Sequence, residues 1–544
     1  MHDTSTPHVT DTVETRNEVL DFVAIGIGPF NLSLACLSEP LEDVNGVFLE
    51  RKAGFDWHPG MLLEDASMQT PFMADMVSLA DPTSHFSFLN YLKLHDKLYN
   101  FYIREDFFLL RREYNQYCQW AARELTSLRF DHDVQDIQHV GDIYVVRGTR
   151  PSTGEAFAYR ARKLVLGTGT QPYLPKAADA VRDVVPVAGS RVCHNAHYLA
   201  RKEELTSQPA ITIIGSGQSA AEIYLDLLRE IDHHSYQLNW ITRSPRFFPL
   251  EYGKLTLEMT SPDYIDYFHA LPREQRNTLL ATQKGLYKGI NLELIDEIYD
   301  TLYAKQLQGV VPTTLMTNTE LTSLNKEGAD GDFTLGLYQR EQQQAWRHDT
   351  SAVVLATGYQ YVAPPFLRSI ESRIRRDEEG RYAVGRFYAV DTQSTADADG
   401  NEGDQSPFAG EIFVQNAELH THSLAAPDLG MACYRNSCIL RAITGREVYT
   451  IERRIAFQSF GAPGSEKGCG NGFTPLPAAH LPYGETDIHA GTSSTGLSSA
   501  DSSSAGTAST DSSSVDSSSA GTDSADTQAD TTHTAAPQHR ETTA

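Results

Sequence analysis

Residues Asp21 to Asn31 read DFVAIGIGPFN, and residues Ile211 to Ala220 read ITIIGSGQSA. Each stretch is a short apolar run followed by Gly-X-Gly and then a helical pattern. This is the order a Rossmann turn requires. Glycines let the backbone turn tightly against a pyrophosphate, and the next helix presents free N–H groups to it. Gly26, Gly28, Pro29 and Asn31 carry the first turn, and Gly215, Gly217, Gln218 and Ser219 carry the second. One such match is weak evidence. Two in one chain point to two nucleotides in one enzyme, typically a flavin and a nicotinamide.

Beyond these turns the pattern alternates strand and helix, which predicts an α/β fold. Phe22–Gly26, Val47–Glu50 and Lys163–Gly167 read as strands of a first domain. Ala210–Gly215 and Gln237–Thr242 repeat the arrangement, and Ala352–Ala356 is a further apolar strand. From Glu251 to Gln308 the periodicity turns helical, with Leu292, Ile295, Ile298 and Leu302 on one stripe. The expected organisation is two Rossmann-like dinucleotide-binding domains, for FAD and NADPH, with a smaller helical substrate region and a disordered C-terminal tail. Its segments are a disordered lead 1–18, a FAD domain in two parts (19–195 and 351–461), an NADPH domain (196–250 and 311–350), a helical region 251–310, an irregular extension 462–489 and a tail 490–544. The tail is Ser, Thr, Ala, Gly and Asp with little else, too poor in apolar surface to offset the entropy of ordering.

The 544 residues carry 71 Asp+Glu against 45 Lys+Arg, with no basic stripe, so nucleic acid is not an expected partner. The polar, acidic N-terminus is unlike a signal peptide, and no apolar run approaches the length of a membrane span. The six cysteines are scattered without metal-ligand spacing, which fits reduced thiols in a cytoplasmic protein and no metal site. Cys433 and Cys438 lie in a helix-like run, where residues five apart do not share a face, so they do not read as a redox pair. His420 and His422 read as structural. With no nucleophile and no metal, no side chain is assigned a catalytic role. The chemistry belongs to a flavin, and the protein supplies position and electrostatics.

The two turns differ in the residues downstream of them. Glu50 ends the second strand, 22 residues after Gly28, where a carboxylate can accept bonds from a ribose diol as in FAD. At the matching place in the second unit stand Arg243 and Arg246, with no acid between them. Guanidinium groups suit the 2′-phosphate of NADPH. The competing readings are a solvated glutamate and surface arginines without a ligand.

At these residues the chain resembles the flavin-dependent N-hydroxylating monooxygenases of siderophore biosynthesis, which act on lysine, ornithine or diamines. The matching motifs begin with Gly26-Ile-Gly28-Pro29-Phe-Asn31, Phe55-Asp-Trp57-His58-Pro-Gly-Met61, Met68-Gln69 and Asp81-Pro-Thr-Ser-His. They continue with Gly167-Thr-Gly-Thr-Gln-Pro, Gly215-Ser-Gly-Gln-Ser-Ala-Ala-Glu222, Ala356-Thr-Gly-Tyr359 and Asn416-Ala-Glu-Leu-His-Thr-His422. The resemblance implies FAD contacts at the first glycine turn, Glu50, Trp57, His58, Gln69, the Val134 backbone and Pro427-Asp428-Leu429. It implies NADPH contacts at Gly215, Gly217, Gln218, Ser219, Arg243 and Arg246. It also implies that NADPH reduces FAD, that oxygen adds to give a flavin C(4a)-hydroperoxide, and that a neutral primary amine attacks its distal oxygen.

The departures point to the substrate. The lysine and ornithine enzymes carry a lysine five residues after the glutamine that pairs with the substrate carboxylate; here Ala74 stands there. Leu257 replaces an asparagine, and Gly430 replaces a serine. A buried carboxylate without a cation costs several kcal/mol, on the order of 3–5. A diamine has no carboxylate, and its second ammonium wants an anion, for which Asp428 and Glu258 are the candidates. Cadaverine or putrescine is therefore the expected substrate, with molecular oxygen, ahead of hydroxamate siderophore assembly. The alternatives are that Lys288 serves an amino-acid carboxylate instead, or that the chain is an uncoupled NADPH oxidase. The oligomeric state, a homo-oligomer included, stays open.

Overall fold

A computed structural model describes residues 14–327, 331–391 and 407–462, with side chains from Glu18 onward. All of them fall in one compact unit, Met1–Thr474. The expected extension beyond residue 462 and the tail lie outside the described residues.

The first glycine turn grows out of a seven-stranded sheet. Its strand Glu14–Ile25 runs parallel to Gly46–Leu49 on one side and to Ala156–Leu166 on the other. Ile412–Val414 extends the parallel part against Leu164–Leu166, while Ile143–Thr149 pairs antiparallel with the other half of the same long strand. Side chains alternate across the sheet. Phe22, Ala24 and Phe48 enter one core, under the helices Pro29–Ser38, Arg111–Glu124 and Ala432–Thr444. Val23, Ile25, Val47 and Leu49 enter a second core on the opposite face. Burial on both faces explains why the strand sequence is continuously apolar. The strand begins at Glu14 rather than at Phe22, so the lead expected to be disordered through residue 18 is ordered from 14. Its backbone pairs Glu14 with Phe157 and Thr15 with Ala158, past a bulge before Val19.

The second glycine turn grows out of a separate five-stranded, all-parallel sheet. Its strands are Val192–His194, Ala352–Leu355, Ala210–Ile214, Gln237–Ile241 and Thr313–Met316, in that spatial order. This corrects the domain edges. The expected FAD-domain segments, 19–195 and 351–461, include Val192–His194 and Ala352–Leu355. Both belong to the second sheet, through the registers Ile211–Ala352 and Val192–Val353. A three-stranded antiparallel sheet (Thr319–Lys326, Phe333–Gln339, Gln344–Thr350) covers one face through Leu324, Phe333, Leu335 and Leu337. Helix Gln218–Glu230 covers the other.

The helical region splits its allegiance. Helix Leu292–Gln306 packs through Leu294, Ile295, Ile298 and Leu302 into the core beneath Gln218–Glu230. Helix Pro262–Ala270 instead buries Tyr264 and Phe268 against Leu424, in the loop that leads to Asp428. The region thus bridges the two nucleotide units, and the segment 284–291 between these helices crosses the boundary.

Candidate functional site

Gly26 has φ of 88°, and a Cβ there would stand 2.4 Å from the Gly167 carbonyl oxygen. Only glycine meets both demands. The next helix starts at Pro29, with no side-chain cap and no acid in its first turn, and a Cβ on Gly28 would meet nothing within 4 Å. Free N–H groups beside an open backbone form a cradle that fits a pyrophosphate. Glu50 reaches back to this turn, where its Oε2 accepts the Ile27 N–H at 2.9 Å. Asn31 does not line the cradle. It is fully buried, donates to the Gly26 carbonyl at 2.7 Å and accepts from Gln415 at 2.5 Å. It shapes the turn, and its burial is what displaces it from the expected contacts.

Gly215 repeats the close approach, since a Cβ there would stand 2.3 Å from the Ala356 carbonyl oxygen. Helix Gln218–Glu230 also starts uncapped and without an acid in its first turn. Arg243 and Arg246 are both exposed beyond the neighbouring strand end. Two glycine cradles, one with a carboxylate on it and one with guanidinium groups near it, fit FAD and NADPH respectively.

Beside the second cradle lies a cavity of about 1190 Å³. Gln69, Phe108, Gln218, Glu222, Tyr252 and Asn291 line it, and its wall carries Glu64, Asp65, Asp226, Glu230, Glu293 and Glu297. Its polar side chains are wired together. Gln69 Nε2 donates to Asn291 Oδ1 at 2.9 Å, the Asn291 N–H donates to Gln218 Oε1 at 2.9 Å, and Gln218 Nε2 donates to Glu222 Oε1 at 3.0 Å. Arg111 then grips both oxygens of Glu222. Asn291 and Arg111 carried no signal in the sequence; Glu222 closed a motif but was given no role.

Trp57 and His58 sit on the near side of this wire. The Trp57 N–H donates to Asn115 Oδ1 at 3.0 Å, and the indole packs edge-on against Tyr114. His58 takes a left-handed φ of 51°, and burial first, then Arg111 and Lys52, lower its pKa to about 4. It is a neutral ring against Tyr359, 5.7 Å between centroids. Val134 is buried at a bulge in the strand Asp133–Val140. Pro427 is exposed, and Leu429 packs against the first core.

Two of the expected substrate positions come together. The Ala74 methyl lies 3.8 Å from where a Cβ on Gly430 would stand. Asp428 is beside them, its Oδ1 accepting the Gly430 N–H at 2.7 Å. Burial pushes the Asp428 carboxyl above its usual range, and the hydrogen bonds from Gly430 and Met431 and the Arg435 charge oppose that only in part. Arg435 is itself ion-paired with Glu418 at 2.9 Å. Asp428 therefore faces this space without a cation of its own. Tyr252 adjoins it: burial and then the Asp428 charge raise the pKa of that phenol. Asp75, next to Ala74 in sequence, is turned away and accepts from Val77, Ser78 and Phe88.

Glu258 is not part of this cluster. Its carboxylate is exposed and accepts the N–H groups of Phe457 and Gln458 at 2.9 and 3.0 Å, fastening the C-terminal segment to the helical region. This corrects its assignment as a substrate anion. Leu257, in the short helix Lys254–Leu257 before it, is half-buried, and no contact ties it to Ala74 or Gly430. Lys288 stands at the second glycine turn, its carbonyl oxygen 3.5 Å from where a Gly217 Cβ would be, with Lys284 and Arg243 as its charged neighbours. Cys433 and Cys438 are free and buried, each pushed up to about 12 by desolvation. His420 and His422 donate to the Tyr382 and Arg386 carbonyls. Among the described residues no group of side chains could hold a metal ion, and no helix is long and apolar enough to cross a membrane.

The profile of the L-lysine 6-monooxygenase/L-ornithine 5-monooxygenase family matches residues 18–361. The chain is 51% identical over 453 residues to a putrescine N-hydroxylase of Shewanella oneidensis, covering 83% of this chain and 86% of that protein. Among solved structures, it is similar to the FAD-bound cadaverine monooxygenase of the desferrioxamine pathway from Erwinia amylovora. The TM-score is 0.76 and the identity 54%, over 82% of this chain and 99% of that one. An ornithine N-hydroxylase from Kutzneria sp. 744, with reduced FAD, NADP+ and L-ornithine, matches at a TM-score of 0.69 and 26% identity over 79% of this chain and 99% of that one.

Proposed function

The chain belongs to the L-lysine 6-monooxygenase/L-ornithine 5-monooxygenase family, and from that premise we propose that it N-hydroxylates one primary amine of a terminal diamine, with FAD and NADPH as cofactors. The product is the hydroxylamine that hydroxamate siderophore assembly consumes. One observation carries the substrate class: Ala74 and Gly430 adjoin, with the Asp428 carboxylate beside them. A site for an amino-acid head would need a cation there. This one offers a methyl, a bare backbone and an anion.

The flavin, when bound and reduced by NADPH, supplies the activated oxygen. The chain's own residues do the rest. The cradles at Gly28 and Gly217 hold the two pyrophosphates on helix N-termini. The Gln69–Asn291–Gln218 wire links the wall of one cradle to the first turn of the other. Asp428 accepts hydrogen bonds from the distal ammonium and so anchors one end of the diamine. The other nitrogen must arrive without its proton, because an ammonium has no lone pair to donate. Loss of water around that nitrogen on binding favours its neutral form. On the cavity wall Asp65 and Glu297 pair with Arg229, Asp226 and Glu230 with Lys202, and Glu222 with Arg111, while Glu64 and Glu293 add acidic charge that favours a dication over a carboxylate.

The test is to follow hydroxylamine and hydrogen peroxide together during NADPH oxidation with cadaverine or putrescine. Hydroxylamine in step with NADPH is expected. Peroxide with no hydroxylamine for either amine would instead make the protein an oxidase.

A further inference from the structure

The chain carries a formal charge of −26, yet Lys284 and Arg243 are charged neighbours of Lys288 beside the second glycine turn, and among the described residues none of the three is ion-paired with a carboxylate. Lys288 is the best fixed of them. The backbone after it is clamped from two sides. The Ile290 N–H donates to the Phe248 carbonyl at 3.1 Å, and the Leu250 N–H donates to the Ile290 carbonyl at 2.8 Å. The Asn291 N–H donates to Gln218, the first residue of the helix that the turn opens. Gly289 is held against Leu250, whose N would lie 2.4 Å from a Cβ there. Between these clamps the Lys288 carbonyl passes 3.5 Å from where a Cβ on Gly217 would stand, while its side chain reaches solvent.

The Lys288 ammonium lies over the Tyr287 ring, 5.4 Å from its centroid, and a cation without a carboxylate partner, on a backbone pinned against a phosphate-binding turn and with Arg243 as a neighbour, is suited to an anion. We propose that Lys288 is a second ligand of the NADPH 2′-phosphate, sharing that group with Arg243 across the mouth of the second cradle. The assignment rests on the cofactor reading above and goes beyond it by naming a residue from the helical region as part of the coenzyme site. Partial burial first, and then the like charges of Lys284 and Arg243, lower the Lys288 pKa. The like-charge part of that lowering is the cost of bringing cations together without an anion, and a bound phosphate would offset it. Two cations from separate segments also make the site selective: NADH would leave both without a partner.

The test is equilibrium binding by titration calorimetry on the FAD-loaded, oxidised protein, with adenosine 2′,5′-bisphosphate, NADP+ and NAD+ as probes. Flavin content and thermal unfolding establish that each variant is folded. Lys288→Ala should weaken both 2′-phosphorylated probes by roughly tenfold or more, as loss of a charge-assisted bond does, and leave NAD+ within about twofold. Lys288→Arg should restore most of the affinity. Unchanged binding of the 2′,5′-bisphosphate, or equal weakening of NADP+ and NAD+, would overturn the proposal while leaving Arg243 and the cofactor reading intact. A wild-type protein that bound NADP+ and NAD+ equally would overturn the cofactor reading and this proposal together.

Discussion

Arg111 and Glu222 meet across the boundary of the two nucleotide units in a two-pronged ion pair, 2.9 Å from Nη1 to Oε2 and 2.7 Å from Nη2 to Oε1. Arg111 opens a helix under the first sheet, and Glu222 lies one turn into the helix after the second glycine turn. Both side chains are nearly closed to water, at 12% and 5% exposure, so neither partner is replaced by solvent when the other is lost.

That pair predicts a non-additive loss. Glu222→Gln should destabilise the FAD-loaded protein by about 3 kcal/mol, because it leaves a buried guanidinium without its counter-charge. Arg111→Met with Glu222→Met should cost less than the sum of the single changes. Denaturant unfolding of wild type, Glu222→Gln, the two methionine single variants and the double variant measures this, and additive methionine singles would mean that the pair does not hold the units together.

Arg243→Ala should raise the Michaelis constant for NADPH far more than that for NADH. The expected loss is roughly 1.5–3 kcal/mol, the range for a hydrogen bond to a charged group. Steady-state kinetics with both coenzymes decide it, and a variant whose two constants rise together would place the 2′-phosphate elsewhere.

His194 makes the fold sensitive to acid. Its Nε2 bonds the Gly358 carbonyl at 3.0 Å and its Nδ1 accepts the Ala196 N–H at 3.2 Å, a pattern only the neutral ring can make. Burial lowers its pKa to about 4. The unfolded chain takes up a proton near 6.5 that the folded chain refuses, so the stability His194 confers is full above 6.5 and is lost as pH falls toward 4. His194→Gln should flatten the fall in unfolding free energy across that window by roughly 1.4 kcal/mol per pH unit. Parallel pH profiles of wild type and variant would contradict it.

Much of this was legible in the sequence. The glycine turns, the strands leading into them and the helical region come from periodicity and from backbone demands that only glycine meets. The domain edges were not legible, because Ala352–Leu355 is equally apolar whichever sheet it joins, and pairing register is a tertiary choice. Ala74 and Gly430 were visible as departures from a family pattern, but their adjacency was not. Glu258 was misread because a carboxylate's partners, here the N–H groups of Phe457 and Gln458, come from residues distant in the chain. Asn291 had no motif to announce it.

The proposed role of Asp428 can be tested against its neighbours. Asp428→Asn should lower kcat/KM for the diamine by roughly ten- to a hundredfold, the loss of a charge-assisted bond. Ala74→Lys should also lower it, by setting a like charge near the distal ammonium. Variants that keep wild-type constants for the diamine would place the distal ammonium away from Asp428.

Substrate class rests on the Ala74, Gly430 and Asp428 cluster, and it is read out by the specificity constant for hydroxylamine formation by the wild-type enzyme with cadaverine, putrescine, lysine and ornithine. At least one diamine should exceed both amino acids by roughly a hundredfold or more, the least expected from the roughly 3 kcal/mol cost of burying a carboxylate with no cation to meet it. A higher constant for lysine or ornithine than for both diamines would contradict the assignment.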